Sequence, residues 1–302
     1  MAQYRTRKAT LDGLVLVDKP TGCTSHDVVA RVRRALRPAV RKVGHAGTLD
    51  PFATGLLLVL VGRATKLARF FVDLPKEYVC TMRFGARSDT GDVTGRTVET
   101  GVAVTLGEIQ AVLPRFRGAI VQRVPMTSAV KVDGERLYRK AHRGETVETP
   151  VKEVEIELIE VEAFDEPSQA LRCRVVCSKG TYVRQLAIDI GEAAGGGAYV
   201  EELARTATGP FRLAEARTLA AFEEAVAERP QGDETIPGLV SPSRALEFMP
   251  ALEVASAQVP RIRNGARLSG GPRQPVRVVH RGEFLAVYGP ADEGVLKPLV
   301  VM

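Results

Sequence analysis

The chain is poor in the residues that hold metals and redox groups. Its 302 residues include four cysteines, four histidines and no tryptophan, and only 5% are aromatic. Cys23, Cys80, Cys173 and Cys177 are too few and too scattered for a disulfide framework, and no Cys-x-x-Cys pair is present. They read as small buried hydrophobes. His26, His45, His142 and His280 stand singly, so no His-x-x-x-His helix face exists and no metal site is expected. The longest nearly apolar run, residues 55–62, is far too short to span a bilayer. The polar opening, residues 1–12, contains no export signal, so the chain is expected to be cytoplasmic, away from membranes. Also missing are the Gly-x-x-x-x-Gly-Lys-Ser/Thr phosphate loop, the Gly-x-Gly-x-x-Gly dinucleotide turn and the Gly-x-Ser-x-Gly elbow. Nucleotide hydrolysis, hydride transfer and serine-esterase chemistry therefore fall away, and no cofactor is expected.

What is present is an ordinary globular composition, with 45% hydrophobic and 26% charged residues and a mean hydropathy of −0.03. The length suits one large domain or two unequal ones. Net charge is +6, but residues 1–72 alone hold thirteen basic and four acidic residues, so the rest of the chain is slightly acidic. Basic residues cluster at Arg31, Arg33, Arg34, Arg37, Arg41 and Lys42, and again at Lys131, Arg136, Arg139, Lys140 and Arg143. Such clusters suit a polyanion; they equally suit a solvated face, and charge alone does not choose.

Residues 13–18 read as a buried strand that runs into the turn Lys19-Pro20-Thr21-Gly22. Thr24 with Asp27 forms a capping-box variant ahead of Val28, Val29, Val32, Ala35 and Leu36 at helical spacing, and Pro38 ends that helix. Residues 42–55 read as a glycine-punctuated loop before the apolar run 56–61. Strands are expected at 78–84, 154–158 and 171–177, and helices around 109–116 and 183–194. No regular βαβ repeat appears, so the fold class is α+β, a mixed sheet flanked by helices. Residues 230–242, with three prolines, mark a linker. Beyond it, short strands at 276–279, 284–288 and 296–301 suggest a small β-barrel, giving domains of residues 1–245 and 246–302.

The densest candidate for chemistry is Gly44-His45-Ala46-Gly47-Thr48-Leu49-Asp50-Pro51-Phe52-Ala53-Thr54-Gly55. Three glycines permit tight backbone paths, and Pro51 biases Asp50 away from helical geometry. By spacing alone Asp50 either caps a turn or is an acid held in a basic neighbourhood. Arg184, opening a helix in Lys179-Gly180-Thr181-Tyr182-Val183-Arg184, is either a surface residue or the cation that keeps a partly buried aspartate ionised.

Taken with Asp18-Lys19-Pro20-x-Gly22-x-Thr24-Ser25, Lys76-Glu77-Tyr78 and Gly180-Thr181-Tyr182-Val183-Arg184, that loop resembles the bacterial TruB-type tRNA pseudouridine-55 synthases. The resemblance covers nearly the whole chain, and residues 246–302 resemble a PUA domain. It implies isomerisation of uridine 55 in the T loop of tRNA by base flipping, with the base rejoined to the sugar through C5. Carried onto this sequence, Asp50 is the nucleophile and Arg184 its salt-bridge partner. Tyr78 stacks on the base and handles a proton, His45 displaces the base's neighbours, Tyr182 and Leu203 line the pocket, and Lys19 and Pro20 support the loop. The implied partner is tRNA, through its T stem-loop and acceptor end, bound by a monomer without guide RNA or protein partner. Two departures stand out. The family's Pro-Pro-x-Tyr-Ser-Ala-x-Lys is here Val124-Pro125-Met126-Thr127-Ser128-Ala129-Val130-Lys131, and the basic residue usual after Leu203 is Ala204, with Arg205 next. The rival readings are a non-catalytic RNA-binding protein and the catalytic subunit of a guide-RNA particle of the dyskerin type.

Overall fold

The structure, a computed structural model, describes residues 11–230, 233, 235–291 and 294–302, apart from the side chain of His142. Residues 1–10 of the polar opening and Gln231, Gly232 and Glu234 of the expected linker lie outside the described residues. Ten strands make one mixed sheet in the order Arg217–Thr218, Gly13–Lys19, Thr54–Val61, Ala198–Thr208, Lys76–Phe84, Ala170–Cys177, Val151–Asp165, Gly118–Arg123. Val43–Ala46 pairs beside Thr54–Val61, and Phe211–Arg212 beside Ala198–Thr208. Most neighbours are antiparallel, while Thr54–Val61 meets Ala198–Thr208 in parallel at Ala204↔Thr54 and Arg205↔Gly55. The α+β class holds.

The unbroken apolar runs of the first and third strands follow from burial on both faces. Val15, Val17, Leu57, Val59 and Val61 pack against Val28, Val32 and Leu36 of the first helix and against Phe222. Leu14, Leu16, Leu56, Leu58 and Leu60 point the other way, to Phe71, Leu246 and Met249. The first helix, Ser25–Ala35, starts where the sequence signals it, with Thr24 and Asp27 closing both halves of the capping box. Toward the other end of the sheet, one face packs on the helix Val183–Ala194 and on Ile109 of the helix Leu106–Val112. The segment expected to be helical at 109–116 is that helix followed by a tighter 3₁₀ turn, Leu113–Phe116. The loop expected at 42–55 begins with a strand, Val43–Ala46.

Five further strands, Ala251–Glu253, Leu268–Ser269, Val276–His280, Glu283–Pro290 and Val295–Val301, form a second sheet. It has its own core of Val254, Ile262, Val276, Val278, Leu285, Ala286, Tyr288 and Leu296. Its Val287 faces the opposite way and joins Leu14, Leu246 and Met249. Among the described residues no helix is long and apolar enough to cross a membrane.

Candidate active site

Asp50 lies in the turn between Val43–Ala46 and Thr54–Val61. Gly55, at the exit, has φ +101°, and a Cβ there would fall 2.4 Å from the Arg205 carbonyl oxygen, so only glycine fits. The turn is held from several sides. Ser25, in the first turn of its helix, accepts a hydrogen bond from the Leu49 N–H at 2.8 Å and donates its hydroxyl to the Leu49 carbonyl at 3.1 Å. The Ala53 N–H donates to the Asp50 carbonyl at 3.2 Å. Beneath it, the buried Lys19 donates Nζ to the carbonyls of Pro20 (2.8 Å), Cys23 (2.9 Å) and Pro51 (3.3 Å). Burial lowers the Lys19 pKa. Lys19 thus takes the place expected of it under the loop, whereas Pro20 is exposed and contributes its carbonyl.

Arg184, in the first turn of Val183–Ala194, meets Asp50 in a two-pronged pair: Nε to Oδ2 at 2.9 Å and Nη2 to Oδ1 at 3.1 Å. The Arg184 side chain is 4% exposed and that of Asp50 32%, so the carboxylate keeps one open side. Burial pushes the Asp50 pKa up; the Arg184 guanidinium opposes that, and the charge of Asp92 adds to it. Arg184 is itself fixed. Its Nη1 donates to the Thr90 carbonyl at 3.1 Å, bonds the Thr127 hydroxyl, and lies 3.4 Å from Asp92 Oδ2. Asp92 in turn accepts from the Thr90 hydroxyl and the Thr94 N–H, each at 2.9 Å. Thr127 occupies the tyrosine position of the departing motif, so that departure places a small hydroxyl on the guanidinium.

Tyr78, on Lys76–Phe84, packs half-buried against the core that holds Leu49 and Ala53. Burial raises its phenol pKa and Arg205 draws it back, while the Asp50 charge also acts on it. Tyr182 precedes the Arg184 helix. Its N–H donates to Gln122 Oε1 at 3.1 Å and its carbonyl accepts from Gln122 Nε2 at 3.3 Å. Burial raises its phenol too, against the opposing influence of Ser128 and Arg184. Leu203, 7% exposed, shares the core of Leu49 and Ala53. His45 stands on Val43–Ala46 opposite Val59, and no hydrogen bond joins it to the Asp50–Arg184 pair. Its Nδ1 is buried without a partner, and burial with the neighbouring Arg205 charge favours the neutral ring.

The structure therefore gathers Asp50, Arg184, Tyr78, Tyr182 and Leu203, with Lys19 below and His45 at the loop's entrance. Sequence reasoning missed Asp92, Thr127, Ser25 and Gln122, and treated Arg205 only as a displaced basic residue. One signal was available: Ser88-Asp89-Thr90-Gly91-Asp92-Val93-Thr94-Gly95 is dense in side chains that bond their own backbone. The basic clusters are thinner than they read. Arg31 is tied to Glu223, and Arg143 is gripped by Glu135 and Glu145, leaving Arg34, Arg37, Arg41, Lys42, Lys131, Arg136 and Arg139 exposed. Among the described residues no group of three or more side chains is arranged to hold a metal ion.

Residues 33–183 match the family model described as TruB family pseudouridylate synthase, N-terminal domain, and residues 184–246 match that of the tRNA pseudouridylate synthase B C-terminal domain. A protein of Geobacillus thermodenitrificans named tRNA pseudouridine synthase B is 42% identical over 311 aligned positions, covering 96% of this chain and 99% of the relative. One of the same name from Pseudomonas fluorescens is 40% identical, covering 99% and 98%. Among solved structures, a Cbf5-Nop10-Gar1 complex contains a chain that superposes with TM-score 0.73 at 27% identity, covering 93% of this chain and 78% of that one. A chain of an H/ACA RNP bound to a substrate RNA containing 2'-deoxyuridine superposes with TM-score 0.71 at 25% identity, with the same coverage.

Proposed function

This chain belongs to the TruB family of pseudouridylate synthases, and from that premise we propose that it converts uridine 55 in the T loop of tRNA to pseudouridine with Asp50 as nucleophile. Formation of pseudouridine in tRNA is the activity of the family; the position and the residue roles are this reading's own. The observation that carries it is the two-pronged Asp50–Arg184 pair with one side of the carboxylate open. A nucleophilic carboxylate must be ionised, and burial works against that. Arg184 supplies the opposing charge without occupying the open side.

The reaction cuts the bond from uracil N1 to C1′ of the ribose and makes one from C5 to C1′. The proton on C5 leaves, and N1 ends protonated, so no oxidant, reductant or cosubstrate enters the balance. An Asp50 oxygen either bonds C1′ as the C1′–N1 bond breaks and is displaced from C1′ by C5, or adds to C6 across the C5=C6 double bond and is eliminated after C5 has joined C1′ and lost its proton; in both cases the carboxylate is regenerated. Tyr78 stacks on the extruded base and takes part in the proton's departure; Tyr182 and Leu203 close the pocket walls. His45, whose buried Nδ1 has no partner and whose pKa is lowered by burial, helps displace the neighbours of the flipped base in the loop. Lys19 holds the loop from below, with Pro20 at the turn.

In this reading residues 1–245 carry the chemistry and residues 246–302 contact the acceptor end of the tRNA. The protein works as a cytoplasmic monomer without guide RNA or protein partner. Nearly end-to-end alignment with curated tRNA synthases, against 78% coverage of the Cbf5 chain, favours the form without a guide.

The test is tritium release from a tRNA transcript labelled at C5 of uridine, without added cofactor. Wild type is expected to release one equivalent, Asp50→Asn none, and a transcript with cytidine at position 55 none. Release by Asp50→Asn at the wild-type rate would defeat the nucleophile, and release from the cytidine-55 transcript would defeat the position.

A further inference from the structure

Arg205 is 1% exposed and is the largest fully buried side chain described. A buried cation ordinarily needs an acid beside it. Among the described residues Arg205 has no carboxylate within ion-pair distance, and its guanidinium donates to carbonyls: Nε to Leu56 at 2.8 Å, Nη2 to Gly47 at 3.1 Å and Nη1 to Thr48 at 3.4 Å. Gly47 and Thr48 precede Asp50, and Leu56 follows the turn's exit. The main chain of Arg205 presses on that exit as well, since a Cβ at Gly55 would come within 2.4 Å of the Arg205 carbonyl oxygen. Across the sheet, Arg205 stands in register with Tyr78.

We propose that Arg205 is a positioning residue for the isomerisation: its guanidinium clamps the entry and exit of the Asp50 loop through the Gly47, Thr48 and Leu56 carbonyls, and so fixes the carboxylate relative to Tyr78. Arg184 grips the carboxylate from a separate helix, so the two arginines constrain Asp50 from opposite ends of its own residue. Arg184 sets the orientation of the carboxylate and Arg205 the path of its backbone. Three carbonyls are a costly use for a buried charge if a stable turn were the sole outcome, because Ser25 and Lys19 already secure that turn. The effect of Arg205 on the Tyr78 phenol agrees with the same placement. Misplacing a reacting group by about 1 Å can cost on the order of a hundredfold in rate.

This inference rests on the proposed function, and its test separates the two. Arg205→Lys keeps the charge but cannot span three carbonyls; Arg205→Met keeps an unbranched apolar stem without charge or donors. For each variant shown folded by circular dichroism, two quantities are read: the single-turnover rate with its KM for tRNA, and hydrogen–deuterium exchange of the amides in residues 44–56. Expected is a rate loss of about tenfold for Arg205→Lys and about a hundredfold for Arg205→Met, KM within about threefold of wild type, and faster exchange in both. Wild-type turnover in a folded variant, or unchanged exchange, overturns the proposal. Failure of both variants to fold overturns it equally, since Arg205 would then determine stability and not placement. If wild type itself releases no tritium, the function reading falls while the exchange data still judge the clamp.

Discussion

Asp50 combines opposed influences within one carboxylate. Desolvation and the charge of Asp92 raise its pKa above the ordinary 3.8, and Arg184 pulls it down. The net shift is upward, so the ionised fraction of Asp50 falls as pH drops through a value above 3.8, and with Asp50 in its proposed role as nucleophile the single-turnover rate should show an acid limb there. Asp92→Asn removes one of the raising charges. The limb should therefore move to lower pH, while the plateau rate drops because Arg184 loses part of its anchorage. Rate against pH for both proteins checks this, and an acid limb moved upward in the variant would contradict it. The turn by itself did not mark out Asp50, since an Asp before Pro is as well accounted for by a cap, and the family resemblance is what singled it out. Its partner lies 134 residues away, and the charge logic suggested Arg184 where only the resemblance could join the two. Asp92 was legible only as part of a turn-rich segment and Thr127 not at all, since the contact each makes with the Arg184 guanidinium is decided by the fold.

At the scale of elements, the first helix shows local rules and tertiary function meeting. Thr24 accepts from the Asp27 N–H at 3.1 Å, and Asp27 accepts from the Thr24 N–H at 2.9 Å, the reciprocal cap that the four-residue spacing implies. The next residue, Ser25, binds Leu49 beside Asp50. Thr24→Ala should cost about 1 kcal/mol of stability, measured by urea unfolding. It should also weaken the hold on Leu49, lowering turnover severalfold without moving the acid limb; a loss well under 0.5 kcal/mol would mean water replaces the cap. Strand Val43–Ala46 was missed for the converse reason. Four residues that include Gly44 and His45 carry no alternating pattern, and their conformation is decided by pairing with Leu58 to Val61, more than ten residues on. The run at 13–18 was legible as a strand, whereas 56–61 read only as an apolar run and its pairing with Gly13–Lys19 makes it a strand buried on both faces.

At the scale of the whole molecule, composition left a polyanion surface and a solvated face equally open, while the glycine and proline pattern and the short strands beyond it announced a second β unit, which is present. Their energetics were not legible. The charge of the basic clusters is partly offset by Glu223, Glu135 and Glu145, so less of it is available to a polyanion than the sequence offers. The second sheet, likewise, is not merely appended. Leu246, Met249 and Val287 are buried against Leu14, Leu56, Leu58 and Leu60, with Phe284, Leu299 and Val300 packed on the same cluster, and Lys66 Nζ reaches the Val301 carbonyl at 3.2 Å. Removing residues 246–302 would strip the covering from one face of the strands that carry the Asp50 loop. Three buried apolar side chains at about 1.5–3 kcal/mol each amount to roughly 5 kcal/mol or more, comparable to the stability of a whole domain. The truncated chain is therefore expected to melt far below the intact protein or to aggregate, and its loss of activity would follow from lost folding. A thermal melt of the truncated chain beside the full chain decides it. A truncated protein that melted within a few degrees of the full chain, yet bound tRNA more weakly, would show the second sheet to be an RNA-binding appendage; a collapse in stability would make it part of the scaffold that holds the Asp50 loop.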